Sequence, residues 1–321
     1  MKMKLLGRTG IQVSELCFGT MSFGGDADEA TSADLYRAVR DAGINFLDCA
    51  DAYSKGRAEE ILGKLMAHER DQLVITTKCH GHMGPGVNDG GVSRRHITSA
   101  VEASLKRLGT DRVEILFIHK WEDEPPMDVQ LRAVEDLVRA GKVLHVGVSN
   151  WAAWQVQKGL GLAALHQWAP IDVLQPMYNL VKRQAEVEIL PQARDTGLGV
   201  ITYSPVGGGL LSGKYSGGAN AGRIADNPMY AKRYSAETAL ATAGAFSDFA
   251  KTCEAHPVTL AVAWVGGNPD VTCPIVGARS VEQLQPSLAA AGFAMSAEMR
   301  AEISALGPEP APATDRLEET L

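Results

Sequence analysis

Eight short apolar runs alternate along this chain with stretches of 3.6-residue periodicity, and that alternation limits the possible folds more than any other feature. The runs fall at 15–19, 45–49, 73–77, 113–119, 143–148, 171–175, 200–203 and 271–276. Each is rich in Val, Ile, Leu or Phe and lacks the strict alternation of a strand with one wet face. Such runs suit strands covered on both sides, as in a parallel sheet. Between them, 30–42 sets Ala30, Ala33, Leu35, Ala38 and Val39 on one side of a helix. The stretch 96–108 does the same with Ile97, Val101, Leu105 and Leu108, after Ser93 as an N-cap. Gly43, Gly109 and Gly141 stand where helices give way to strands. Eight strands separated by helices predict an α/β fold, a (β/α)8 TIM barrel.

The rival, a doubly wound open sheet, calls for a glycine-rich turn between a strand and a helix. Gly159-Leu-Gly161-Leu-Ala-Ala164 has the spelling but follows 151–158, which reads as helix, so its setting is wrong. The Pro125-Pro126 pair and the stretches 83–91 and 217–233 read as loops after strand C-termini, where barrel enzymes build their sites. Residues 1–306 are expected to form one barrel domain, and the Pro-rich 307–321 a flexible tail.

Composition removes several classes of function. At 321 residues the chain can bury roughly three quarters of its unfolded surface without metals or disulfides. The net charge is −7, and basic residues cluster no further than pairs such as Arg94-Arg95, which argues against nucleic acid as a partner. Five scattered cysteines without a C-x-x-C fit reduced thiols, and the residues after Met1 form no apolar leader. No run of 18 apolar residues offers a membrane span. The expectation is a cytoplasmic protein with no membrane partner.

Several of the expected strands end in polar residues: Asp48, Lys78, His119, Ser149 with Asn150, and Gln175. Polar residues resume at any strand end, but in a closed barrel these five groups would share one mouth. Tyr53, five residues past Asp48, adds a phenol. A phenol normally titrates near ~10 and is a poor acid at neutral pH. An ammonium about 4 Å away, at an effective dielectric of about 20, would favour the phenolate by roughly 4 kcal/mol, or about three pKa units. Lys78 is the candidate ammonium, held charged by Asp48. Tyr53 would hand a proton to a developing alkoxide, and His119 would hydrogen-bond the same oxygen. With a proton donor and no evident nucleophile, the set suits reduction of a small carbonyl substrate by hydride from a bound cofactor.

At these residues the chain resembles the aldo-keto reductase family. The pieces run in family order over most of the sequence. Leu6-Gly-Arg-Thr-Gly10-Ile-Gln-Val-Ser14 comes first, then Phe18-Gly-Thr20-Met21 and Asp48-Cys-Ala-Asp-Ala-Tyr53. Glu59-Glu-Ile-Leu-Gly63, Thr76-Thr-Lys78, Ser104-Leu-Lys-Arg-Leu-Gly109 and Leu116-Phe-Ile-His119 follow. The later pieces are Gly141-Lys-Val, Gly147-Val-Ser-Asn150, Gln175-Pro-Met-Tyr-Asn179, Tyr203-Ser-Pro205 and Gly277-Ala-Arg-Ser280. The resemblance implies an N-terminal β-hairpin plugging the barrel bottom. It places Asp48, Tyr53, Lys78 and His119 in the catalytic tetrad, with Tyr53 the general acid. It assigns Ser149, Asn150 and Gln175 to the nicotinamide carboxamide and Tyr203 to the face of its ring. Thr20, Met21 and Asp48 would lie along the cofactor.

By the same resemblance, Ser204, Pro205, Val206, Gly209, Leu210 and Lys214 belong to a loop crossing the pyrophosphate, with Arg223 closing over it. Gly277, Arg279, Gln283 and Ser287 belong to the adenosine end. Arg279 argues for NADPH/NADP+, because a guanidinium can fork onto the 2′-phosphate. The sequence departs from the family pattern in carrying Cys49 after the acid, Ser287 in place of Asn, and Gly277 where some members have Lys. The resemblance also admits a regulatory module that holds the cofactor, like a channel β subunit.

Two other signals have alternatives. His80-Gly-His82 after a strand has zinc-ligand spacing, as in a metal-dependent barrel hydrolase; of the further ligands that site needs, His119 and His145 exist, but His145 lies inside a strand rather than at its end, and no metal is expected. Phe23, Trp121 and Trp151 either line an apolar substrate pocket with Tyr53 and His119 or cap the barrel.

Overall fold

The computed structural model describes residues 1–217, 222–314 and 316, with side chains at 216, 217 and 223 left aside. Two short strands, β1 (Met3–Leu5) and β2 (Gln12–Ser14), pair antiparallel. Eight parallel strands follow: β3 (Cys17–Gly19), β4 (Phe46–Asp48), β5 (Val74–Cys79), β6 (Val113–Ile118), β7 (Val143–Ser149), β8 (Ile171–Gln175), β9 (Gly199–Thr202) and β10 (Cys273–Val276). They close in sequence order, β10 pairing with both β9 and β3. All eight runs read from the sequence carry a barrel strand, with ends moved by up to two residues.

Helices α1 (Glu29–Asp41), α2 (Arg57–Met66), α3 (Arg94–Leu108), α4 (Met127–Arg139), α5 (Ala153–His166) and α6 (Ile189–Thr196) each link one strand to the next. Between β9 and β10 the chain forms α7 (Arg223–Asp226), α8 (Pro228–Arg233), α9 (Glu237–Thr252) and α10 (Pro257–Gly266). After β10 come α11 (Val281–Leu288) and α12 (Ala297–Ser304). The local signals explain their ends. Ser93 Oγ accepts the His96 N–H at the start of α3, and Gly109 takes the left-handed conformation (φ +63°) at its close. Residues 151 and 152 lie outside α5, and Gly159 sits within it rather than in a strand-to-helix turn.

Within 217–233, expected to be a plain loop, residues 223–226 and 228–233 are helical, a correction of that reading, and 218–221 lie outside the described residues. Asn227 caps α8 by accepting the Met229 N–H, and Pro228 takes the first helical position, where its missing N–H costs nothing. Residues 307–314 form neither helix nor strand.

The core has two parts. One lies between strands and helices, and β5 and β6 are buried at every position. The other fills the barrel, where Leu6 and Val13 of the hairpin pack against Phe46, Val74, Ile115, Phe117, Val173 and Ile201. The hairpin therefore stops the N-terminal end of the barrel. Gly7 (φ +53°) makes that fit possible, because a Cβ there would overlap the backbone at Leu198 and Gly199. Closure of the bottom leaves the other end as the barrel's open face.

Among the described residues no helix is long and apolar enough to cross a membrane. The five cysteines are free, four of them buried.

Candidate active site

A cavity of about 690 Å³ opens at the C-terminal ends of the strands. That volume is in the range of small-molecule and cofactor sites. Barrel register assembles its inner end. Asp48 ends β4 opposite Thr76 of β5, and side chains two apart on a strand share a face. Thr76 and Lys78 therefore both reach Asp48. Thr76 Oγ1 donates to its Oδ1 at 2.7 Å, and Lys78 Nζ to its Oδ2 at 2.6 Å. Gln175 Nε2 adds a third bond to Oδ1 at 2.9 Å, and Lys78 also donates to the Cys49 carbonyl at 2.7 Å.

Tyr53 returns toward this group through a strained turn. Ser54 (φ +47°) and Lys55 (φ +53°) are both left-handed, an unusual conformation for residues with side chains. Ser54 Oγ pins the turn by donating to the Phe23 carbonyl at 2.8 Å. Lys78 Nζ then donates to Tyr53 Oη at 3.1 Å. An ammonium cannot accept a hydrogen bond, so the phenolic hydrogen must point elsewhere. His119 follows β6, its N–H donating to the Cys79 carbonyl at 3.1 Å. Its ring stands edge-on to Tyr53, with centroids 6.2 Å apart. Asp48, Tyr53 and His119 line the cavity, and fully buried Lys78 lies behind Tyr53.

Electrostatics corrects the expectation of an acidified phenol. Burial pushes Tyr53 up to about 12, more than the Lys78 charge pulls it down. Burial also works against the charge on Lys78, but Asp48 and Tyr53 outweigh it and hold that ammonium above its ordinary range. His119 goes down to about 3, by burial first and the Lys78 charge second, so its ring is neutral at physiological pH. Tyr53 thus keeps its proton at rest, and the Lys78 charge beside it favours the anion that losing the proton would leave.

A second network lines the next part of the cavity. Ser149 Oγ donates to the Gln175 carbonyl at 3.0 Å. Asn150, left-handed at φ +60°, donates to Ser149 Oγ at 3.0 Å and accepts from Tyr203 Oη at 2.7 Å. Farther out, Met21, Ser204, Pro205, Val206, Gly209 and Lys214 line the cavity, then Gly277, Arg279, Gln283 and Ser287. The lining suits a nicotinamide dinucleotide, since it combines amide and hydroxyl groups, a lysine with turn backbone, and a guanidinium.

Some expected residues lie elsewhere. Thr20 is buried and donates to the Asp48 carbonyl instead of facing the cavity, and Leu210 is buried in the core. Phe23 is not a pocket residue: it is fully buried and packs against Phe18 at 5.8 Å. Trp121 and Trp151 pack edge to face at 4.9 Å beside the exposed Trp154, and neither lines this cavity. The Arg223 side chain lies outside the described residues. His80 bonds Glu122 at 2.8 Å and His145 bonds Asp172 at 2.8 Å. Among the described residues no three His, Cys, Asp or Glu side chains are placed to hold a metal ion.

The sequence reading missed Ser22 and the α8 residues Met229, Tyr230 and Arg233, which also line the cavity. Asn227-Pro228 was the available signal for α8. It also missed Asp51 and Glu59, both buried beside the Tyr53 turn. Glu59 is bonded by Thr77 Oγ1 and Arg107 Nε, whereas among the described residues neither Asp51 carboxyl oxygen has a well-formed hydrogen bond, the Ala52 backbone N–H being the group that helps to hold it.

Residues 15–308 match the model of the aldo/keto reductase family. The chain is 37% identical over 323 residues to an uncharacterized oxidoreductase of Bacillus subtilis, covering 97% of each. It is 36% identical over 300 residues to a probable voltage-gated potassium channel subunit beta of Arabidopsis thaliana, covering 90% of this chain and 91% of that one. With a versiconal hemiacetal acetate reductase of Aspergillus parasiticus the identity is 30% over 321 residues, covering 91% and 93%.

Proposed function

The chain belongs to the aldo/keto reductase family, whose activity is NAD(P)H-dependent carbonyl reduction, and from that premise we propose that it converts an aldehyde or ketone to the alcohol with NADPH and Tyr53 as proton donor. The observation that carries this reading is the relay Asp48–Lys78–Tyr53, with steps of 2.6 and 3.1 Å, at the closed end of a cavity that runs to Arg279.

When bound, the reduced nicotinamide supplies hydride to the carbonyl carbon. Ser149, Asn150 and Gln175 would hold its carboxamide, and Tyr203 would lie against its ring. Tyr53 Oη carries the proton and passes it to the substrate oxygen. Lys78 Nζ, already donating to Oη, stabilises the phenolate that remains, and Asp48 keeps that ammonium charged. A neutral His119 ring has one N–H to offer the same oxygen. Lys214 suits phosphate oxygens, and Arg279 suits the adenosine 2′-phosphate that separates NADPH from NADH.

We read residues 1–306 as one working unit. Its free cysteines, four of them buried, suit the cytoplasm.

The test is Tyr53→Phe with NADPH and a panel of aldehydes and ketones. Cofactor affinity should persist while turnover falls about 10²–10⁴-fold. Turnover near wild type would remove Tyr53 from the role of acid. A second reading, a cofactor-holding regulatory module, is favoured by the likeness to the Arabidopsis channel subunit. Tight NADPH binding with no turnover by wild type across the panel would select it.

A further inference from the structure

Arg279, assigned above to a 2′-phosphate, already has an anion beside it. Its Nε lies 2.9 Å from Asp26 Oδ2, and the two side chains are 38% and 49% exposed. Asp26 stands on the loop between β3 and α1, whereas Arg279 follows β10 and lines the cavity, so the pair joins two segments 253 residues apart in sequence and sets Asp26 beside a cavity-lining cation. The Arg279 backbone N–H is taken by Gln283 Oε1 at 2.8 Å. Apart from this ion pair, its guanidinium makes no hydrogen bond to a described side chain.

We propose that Asp26 sets the cofactor preference of this chain, by competing with the 2′-phosphate for Arg279 and so narrowing the margin by which NADPH is held over NADH. The proposal rests on the NADPH reading above. A half-exposed ion pair is weak and screened by salt, so it yields to an incoming phosphate dianion. Asp26 cannot withdraw far, however, because its loop is anchored on both sides. Gly24 N–H donates to the Ala27 carbonyl at 2.8 Å, and Ala27 N–H to the Ser22 carbonyl at 2.9 Å. Phe23 and Ala27 are buried, and Ser54 holds the Phe23 carbonyl. The carboxylate therefore remains near any group bound by Arg279. It repels a 2′-phosphate, whereas the 2′-hydroxyl of NADH is neutral and can donate to it. Glu282, which lines the cavity with Arg279, adds a further carboxylate three residues along the chain from it.

The experiment measures the Kd of NADPH and of NADH, by calorimetry or quenching of protein fluorescence, for wild type and Asp26→Asn. The substitution preserves shape on an exposed loop and removes only the charge. The ratio Kd(NADH)/Kd(NADPH) should rise roughly three- to tenfold at low ionic strength and lose much of that gain near ~0.5 M salt. Adenosine 2′,5′-bisphosphate compared with AMP should show the same gain, which locates it at the 2′-phosphate. An unchanged ratio, with wild type binding both cofactors, overturns this inference alone. A lower ratio also overturns it, by showing that Asp26 orients Arg279 toward the phosphate. Wild type binding neither cofactor overturns the NADPH reading itself, and this inference with it.

Discussion

Lys78 Nζ lies 2.6 Å from Asp48 Oδ2, and both side chains are almost wholly excluded from water. Such a pair persists because each charge is paid for by the other, and Thr76 and Gln175 fill the remaining acceptor positions on Asp48. The same arrangement makes the relay behind Tyr53 sensitive to any loss within it.

Asp48→Ala should destabilise the fold by about 3–5 kcal/mol, because it strands a buried ammonium. Denaturant unfolding at neutral pH measures this. A loss near zero would mean that Lys78 sheds its proton or its charge reaches water in the variant.

His119 should stay neutral through the physiological range. Its folded pKa, pushed down to about 3 by burial and by Lys78, lies below the ordinary imidazole value of about 6.5. Between those values the unfolded chain binds the extra proton, so this group's contribution to stability falls as pH drops below about 6.5. In solution, the His119 ring resonances should not titrate between pH 5 and 8. A midpoint near 6.5 would contradict the buried, neutral ring.

Asp51 works in the opposite direction. Burial, then the neighbouring Glu59, lifts it to about 7 from an ordinary value of 3.8. The folded state therefore binds the extra proton between those values, and this group's contribution declines as pH rises from about 4 to about 7. Asp51→Asn should stabilise the protein more at pH 8 than at pH 5, by at most about 3 kcal/mol. Melting of both proteins at both pH values gives the difference; equal gains at the two would show that Asp51 is ionised throughout.

Two glycines of the hairpin turn separate plug packing from backbone strain. Both are left-handed, but a Cβ at Gly7 meets the backbone of Leu198 and Gly199, whereas one at Gly10 (φ +77°) meets nothing within 4 Å. Gly10→Ala should cost about 1–2 kcal/mol for conformation alone. Gly7→Ala should cost more, by a further ~1–3 kcal/mol for overlap. Similar losses in the two variants would mean that the plug moves away from the barrel easily.

The sequence reading succeeded where a signal is local. Apolar runs without alternation identified strands covered on both faces, Ser93 and Gly109 bounded α3, and the polar strand ends put Asp48, Lys78 and His119 at one rim. It failed where the deciding neighbour is distant in sequence. Phe23 is an aromatic beside a strand end, but the loop that carries it turns inward onto Phe18. Tyr53 was expected to be acidified by one ammonium, yet the surrounding protein removes water and keeps its proton in place. Helix α8 is the exception, since Asn227-Pro228 announced it.

The sequence by itself determined the order of elements, the caps that end them and the chemical types that reach the open end of the barrel. Periodicity and capping depend on residues within a few positions of one another, which a linear reading contains. Only the tertiary structure decided that Tyr53 rests protonated, that Asp51 is buried near Glu59 and that Asp26 meets Arg279. Desolvation and through-space charge depend on what packs against a group, and here that packing comes from segments dozens to hundreds of residues away.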